Sequence, residues 1–440
     1  MTTTGERTGL IPILEAGAWR PGQDPANDLI TRRLRVLGPS YRLFYREPLE
    51  IVRGLGTRLW DAEGREYLDV YNNVASVGHC HPLVVEAIAA QAAVLTTHTR
   101  YLDRGVVEYA ESLLALLPDP LDRLVLTCTG SEANDLAVRA ARAATGGRGV
   151  IVSEEAYHGN TALTTGLSPS LGAGVGPDVV VVPSPDPVRH PGRSFADGVR
   201  SALAGFAERG VRPAALLLDS ILSSDGVHPV LDLADAVAAV RAAGGLFVAD
   251  EVQPGFARTG TAFWGFARHG LVPDLVTLGK PMGNGMPIAG VIAPAEVLQP
   301  LADAEPYFNT FGGTQVSIAA ATAVLDAIEE DGLQANAVAV GGHLRAGLLE
   351  LAGRHPAIAD VRGEGLFVGL QLAEPDGSPG TVLAADVINA LRHRGVLTSV
   401  CGRFGDTLKL RPPLPFSRAD ADRLVTELDA VLGDPTIAGS

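Results

Sequence analysis

Seven short apolar runs alternate with Ala-rich helical stretches through the middle of this chain, at residues 124–129, 150–153, 179–182, 215–218, 246–250, 275–278 and 288–292. A strand that is apolar at every position is buried on both faces, so it cannot lie in a sheet with one wet side. Strands of this kind alternating with helices predict an α/β fold whose mostly parallel sheet is covered by helices on both sides. In such sheets ligands bind beyond the carboxyl ends of the strands. The residues that follow each run are therefore the first place to look for chemistry.

Two of those ends carry charge. The run 246–250 closes on Asp250 and Glu251, and the run 275–278 is followed by Gly279, Lys280, Pro281 and a Gly-rich turn. An ammonium at the end of a buried strand is costly without a task or a partner. One task that suits it is a Schiff base with the aldehyde of pyridoxal phosphate (PLP). That cofactor needs a carboxylate against its pyridine nitrogen, and Asp250 has the right address. Each residue alone has a plainer reading, a solvated strand tip for Lys280 and a capping side chain for Asp250. Two more strand ends add to the pattern. After 124–129 come Gly130 and Ser131 at the start of a helix, where backbone N–H groups and the helix dipole attract phosphate. After 150–153 comes Tyr157, an aromatic able to stack on a ring face, though a lone Tyr there is more often plain packing.

Together these segments resemble the class III aminotransferases of PLP fold type I, and the resemblance runs from about Gly38 to Leu432. It implies a large domain with a mostly parallel seven-stranded sheet and a smaller α+β domain built from both termini. The expected boundaries are 1–70 for the N-terminal part of the small domain, 71–315 for the large PLP-binding domain and 316–440 for the rest of the small domain. Residue by residue, it implies that Lys280 carries the cofactor and shuttles the proton, and that Asp250 partners the pyridine nitrogen. Val252 and Gln253 match residues that pack under the ring and reach its hydroxyl. Gly130 and Ser131 match the phosphate cup, and Tyr157 and His158 the pair over the ring. Thr310 matches a threonine donated across a dimer interface, which implies a homodimer with shared active sites.

For the reaction, the resemblance implies transfer of an amino group between an amine or amino acid and a keto acid. The segments 71–82, 97–102 and 219–226 look closest to a phospholyase subgroup. Elimination of a β or γ leaving group, with or without capture of the carbanion, is therefore the alternative. Many relatives place an Arg three residues before Pro-Pro-Leu, where its fork binds a carboxylate. Here Lys409 holds that place and Arg411 follows two residues later, on the same strand face. These two, with Val74 and Ser76, are the expected substrate contacts.

At 440 residues, 46% hydrophobic and 19% charged, the chain reads as a globular enzyme of about two domains. A net charge of −15 argues against nucleic acid or an anionic membrane as partner. Cys80, Cys128 and Cys401 are few and far apart, which fits a reducing cytoplasm and offers no metal framework. The N-terminus has no basic segment leading into an apolar run, so no secretory signal is expected. The stretch 168–176, rich in Gly and Ser, reads as a surface loop.

Overall fold

The computed structural model describes residues 28–438 apart from 39 and 230, so the reading of the extreme N-terminus lies outside the described residues. The chain first forms an antiparallel meander of β1 (Ile51–Leu55), β2 (Arg58–Asp61) and β3 (Glu66–Asp69). It then builds seven strands in one sheet. They are β4 (Arg123–Thr127), β5 (Gly149–Ser153), β6 (Val179–Val182), β7 (Pro213–Leu218), β8 (Leu246–Asp250), β9 (Leu275–Leu278) and β10 (Ala289–Ala293). Their order is β4-β10-β9-β8-β7-β5-β6. The pairs β5–β6, β5–β7, β7–β8 and β8–β9 are parallel, and β10 runs antiparallel between β9 and β4. The predicted apolar runs all became strands, shifted by a residue or two at most of their ends. The direction of β10 was not predictable, because an apolar run has no arrow.

Alternation along these strands sorts the core onto two faces. Val150, Val152, Ala215, Leu217, Val248 and Leu275 pack on one side with Ala133, Ala137 and Ala140 of helix Gly130–Thr145. Ile151, Leu216, Leu218, Phe247, Ala249 and Val276 pack on the other side with helices Phe195–Glu208 and Leu233–Ala242. Alanine on the first helix lets it lie close against five strands, β4, β7, β8, β9 and β10. By the same parity Asp250 and Thr277 share the face of helix Gly130–Thr145.

The C-terminal part carries β11 (Ile358–Glu364), β12 (Phe367–Leu372), β13 (Val396–Leu397), β14 (Ser399–Cys401) and β15 (Thr407–Leu410). Strands β11, β12, β15 and β14 form a sheet in that order, whereas β13 leaves them and pairs in parallel with β3. That second sheet is therefore made from both ends of the chain. The stretch 168–176 departs from its reading as a surface loop. Ser168 and Ser170 are buried, and the Ser168 hydroxyl accepts from the His158 N–H and donates to the Thr164 carbonyl, so only the later half is exposed.

Candidate active site

Five strand ends meet at one cavity of about 170 Å³. Gly130 and Ser131 follow β4, Tyr157 and His158 follow β5, Asp219 follows β7, Asp250 ends β8 and Lys280 follows β9. A parallel sheet delivers these residues to one edge because its strands all finish there.

The helix after β4 starts on a capping box. The Thr129 hydroxyl accepts from the Glu132 N–H at 3.2 Å, and the Glu132 carboxylate accepts from the N–H groups of Cys128 and Thr129 at 2.8 and 2.9 Å. Gly130 and Ser131 then occupy the first turn, where backbone N–H groups have no helical acceptor. Three glycines keep this corner open. A Cβ on Gly130 would sit 3.0 Å from Val252 Cγ2, and one on Gly279 would sit 3.3 Å from Gly130 Cα. A Cβ on Gly159, whose φ is +136°, would sit 2.6 Å from Ser131 Oγ.

Asp250 is buried and held on both oxygens. Its Oδ2 accepts from His158 Nδ1 at 2.7 Å and from Asn134 Nδ2 at 2.9 Å, and its Oδ1 accepts from the Val252 N–H at 3.1 Å. His158 thus touches the carboxylate, which the expected ring-covering role did not include. Its Nε2 is buried without a hydrogen-bond partner.

Lys280 lines the cavity, and desolvation by its walls lowers its pKa to about 8. The Arg411 charge pushes the same way, while Asp250 and Asp219 pull against it. Asp219 is raised by burial and by Asp250, against a hydrogen bond from Ser223.

Arg411 comes from just beyond β15. Its guanidinium donates to Gln253 Oε1 and to the Tyr71 carbonyl, and lies 4.5 Å over the Tyr71 ring. Gln253 in turn donates to the Ser223 hydroxyl at 2.5 Å, and Ser223 donates to Asp219. Lys409 is also buried, with its ammonium 5.7 Å from the centre of the Phe367 ring. Desolvation first, then the Arg411 charge, lowers its pKa to about 7. Among the described residues, neither cation has a carboxylate within ion-pair distance.

Of the sequence-derived residues, Gly130, Ser131, Tyr157, His158, Asp250, Val252, Gln253 and Lys280 line this cavity. Val74 is exposed, and Ser76 is buried with its hydroxyl towards Arg258; neither lines the cavity. Thr310 is exposed on this chain and does not line it either. Asn134, Asp219 and Ser223 were missed. Asn134 sits one turn after Gly130 on the same helix face, which brings it to the cavity once the helix lies on the sheet.

The residues present fit PLP. The open glycine corner at a helix N-terminus suits its phosphate, the buried carboxylate Asp250 its ring nitrogen, and the amine Lys280 its aldehyde.

A family profile described as aminotransferase class-III matches residues 44–432. An alanine–glyoxylate aminotransferase 2-like protein of Drosophila melanogaster is 40% identical over 422 residues, covering 90% of this chain and 85% of that protein. An ethanolamine-phosphate phospho-lyase homolog 1 of Caenorhabditis elegans is 37% identical, covering 92% and 93%. A phospholyase from Arthrobacter, solved in complex with phosphoethanolamine, superposes with a TM-score of 0.89 at 41% identity, covering 92% of this chain and all of that one. With the seven-stranded sheet and its strand-end cavity, these likenesses make this chain a member of the class III aminotransferase family of PLP-dependent fold type I enzymes.

Proposed function

We propose that this enzyme transfers an amino group from an amine or amino acid that carries an anionic group away from its amine. The observation that carries the reading is a lysine of lowered pKa and a held carboxylate in one cavity, with the buried cations Lys409 and Arg411 near them. Lys280 would hold the cofactor through its amine and would take up the proton that leaves the carbon beside the substrate's nitrogen. Asp250 stabilises a protonated ring nitrogen, and the bound cofactor supplies the electron sink. Val252, Gln253 and Tyr157 would pack around its ring, and Gly130 and Ser131 would hold its phosphate. Lys409 and Arg411 hold the substrate's anion, which restores the charge balance that burial has upset.

Elimination is the second reading, favoured by the Arthrobacter phospholyase and by Lys409 standing where a bidentate Arg would. A compact ammonium suits phosphate as a point charge. The two outcomes separate in one experiment. The holoenzyme is mixed with anion-bearing amines without a keto acid, and the products are assayed. Conversion of the cofactor to its amine form indicates transfer, and release of phosphate or ammonia indicates elimination. Lys280→Ala should do neither and should lose the borohydride-fixed link to the cofactor. A variant that keeps both removes Lys280 from its role.

The working unit in this reading is a homodimer. Thr310 is exposed beside Phe308 and Phe311, and Phe308 continues a surface cluster with His98, Arg100 and Tyr101. Exposed aromatic side chains grouped in this way are suited to a second copy. No helix among the described residues is long and apolar enough to cross a membrane, and the three cysteines are unpaired. A cytoplasmic address is the one proposed.

A further inference from the structure

Asn134 is 1% exposed and makes three hydrogen bonds that leave its amide one orientation. Its Nδ2 donates to the Asp250 carboxylate at 2.9 Å and to the His158 carbonyl at 2.9 Å. Both of those partners can only accept, so the nitrogen must face them. On the other side, Oδ1 accepts from the Thr277 hydroxyl at 2.7 Å. Thr277 is fully buried in β9, on the sheet face it shares with Asp250.

The arrangement has a consequence for Asp250. Oδ2 receives two side-chain donors and Oδ1 only the Val252 N–H. A carboxylate oxygen has two lone-pair sites, so Oδ2 is filled and Oδ1 keeps one. We propose that Asn134, locked by Thr277, is a positioning residue that turns Asp250 so that Oδ1 is the oxygen offered to the cofactor's ring nitrogen. Thr277 does not line the cavity, and its hydroxyl is bonded to Asn134 rather than to Asp250, its neighbour across the strands. Removing that hydroxyl leaves Asn134 Oδ1 buried without a donor and frees the amide to rotate, which sets one oxygen against another. The inference rests on Asp250 being the ring-nitrogen partner.

The test uses PLP labelled with ¹⁵N in the ring, reconstituted into the full-length enzyme and into T277V, T277S, N134A and D250N. The nitrogen's chemical shift reports its protonation, and fluorescence titration gives the cofactor dissociation constant. T277S should match the parent. T277V and N134A should move the nitrogen signal towards the neutral form and weaken cofactor binding by about ten-fold, the scale of one hydrogen bond to a charged group. Thr277→Val is nearly isosteric, so it reports even if Asn134→Ala does not fold. If T277V keeps the parent's nitrogen signal and affinity while D250N loses the signal, the inference is overturned, even where T277V melts earlier. If D250N itself keeps the signal, the role of Asp250 fails and the inference falls with it.

Discussion

Lys409 is a lysine from which burial has removed most of the reason to stay charged. Its pKa of about 7 lies below the ordinary lysine value because the ammonium is desolvated and Arg411 stands near. In the anion-free site it therefore loses its proton as pH rises through 7, and an anion that needs that proton binds less well above it. Affinity for inorganic phosphate as a competitor should fall as pH goes from 6 to 9. Lys409→Met should bind phosphate weakly at every pH and cost about 2–5 kcal/mol in kcat/KM. A phosphate affinity that does not change with pH in the parent would remove Lys409 from the anion site. The same scale shows what the sequence could not carry. Lys280 and Asp250 stood out because charge ended an apolar run. Asn134 sat within an Ala-rich helix, where a lone amide looks like a solvated position, and its meaning depends on which strand lies beneath it. Val74, Ser76 and Thr310 were named by pattern, and a pattern does not tell which way a side chain points.

The elements were more legible. Both-face burial forces an apolar run, so β4 to β10 were readable before any contact was known. The loop after β5 was not, because its order comes from Ser168 reaching back to the His158 backbone. That loop also carries Tyr157 and Gly159 to the cavity corner formed by Gly130 and Ser131. Gly159 has φ +136° and lies against Ser131, so Gly159→Ala adds backbone strain and a clash together. The variant should lose about 1–3 kcal/mol of stability and bind PLP more weakly, while secondary structure by circular dichroism stays near that of the parent. Unchanged cofactor affinity would mean that the loop does not shape the corner.

Over the whole molecule, charge gathers where the large sheet faces the C-terminal sheet. A cavity of about 330 Å³ lies there, lined by Glu154, Asp225 and Arg403 among others. Glu155 beside it is buried, and desolvation with the charges of Asp225 and Glu154 raises it to about 8, against Arg403. Asp225 is itself raised to about 6 by burial, while Ser184, Ser153 and the Glu155 N–H bind its carboxylate. A carboxyl whose folded pKa is raised contributes fully below its ordinary value of 4.5; that contribution is lost as pH rises from there and is gone above about 8. Glu155→Gln stays neutral throughout. Its Tm relative to the parent should therefore climb between pH 5 and pH 8 and level off above that, measured at fixed salt. A constant difference would show that Glu155 does not titrate in this window.

The pairing of β3 with β13 has a temporal side. Leu68 and Asp69 are made early on the ribosome, yet their parallel neighbours Val396 and Leu397 emerge more than three hundred residues later. Until then one edge of the meander stays unpaired, and such an edge invites pairing with other chains. A contact this distant in sequence also closes slowly. The nascent protein is thus exposed to aggregation for most of its synthesis, and the sheet that spans its two ends closes among the last.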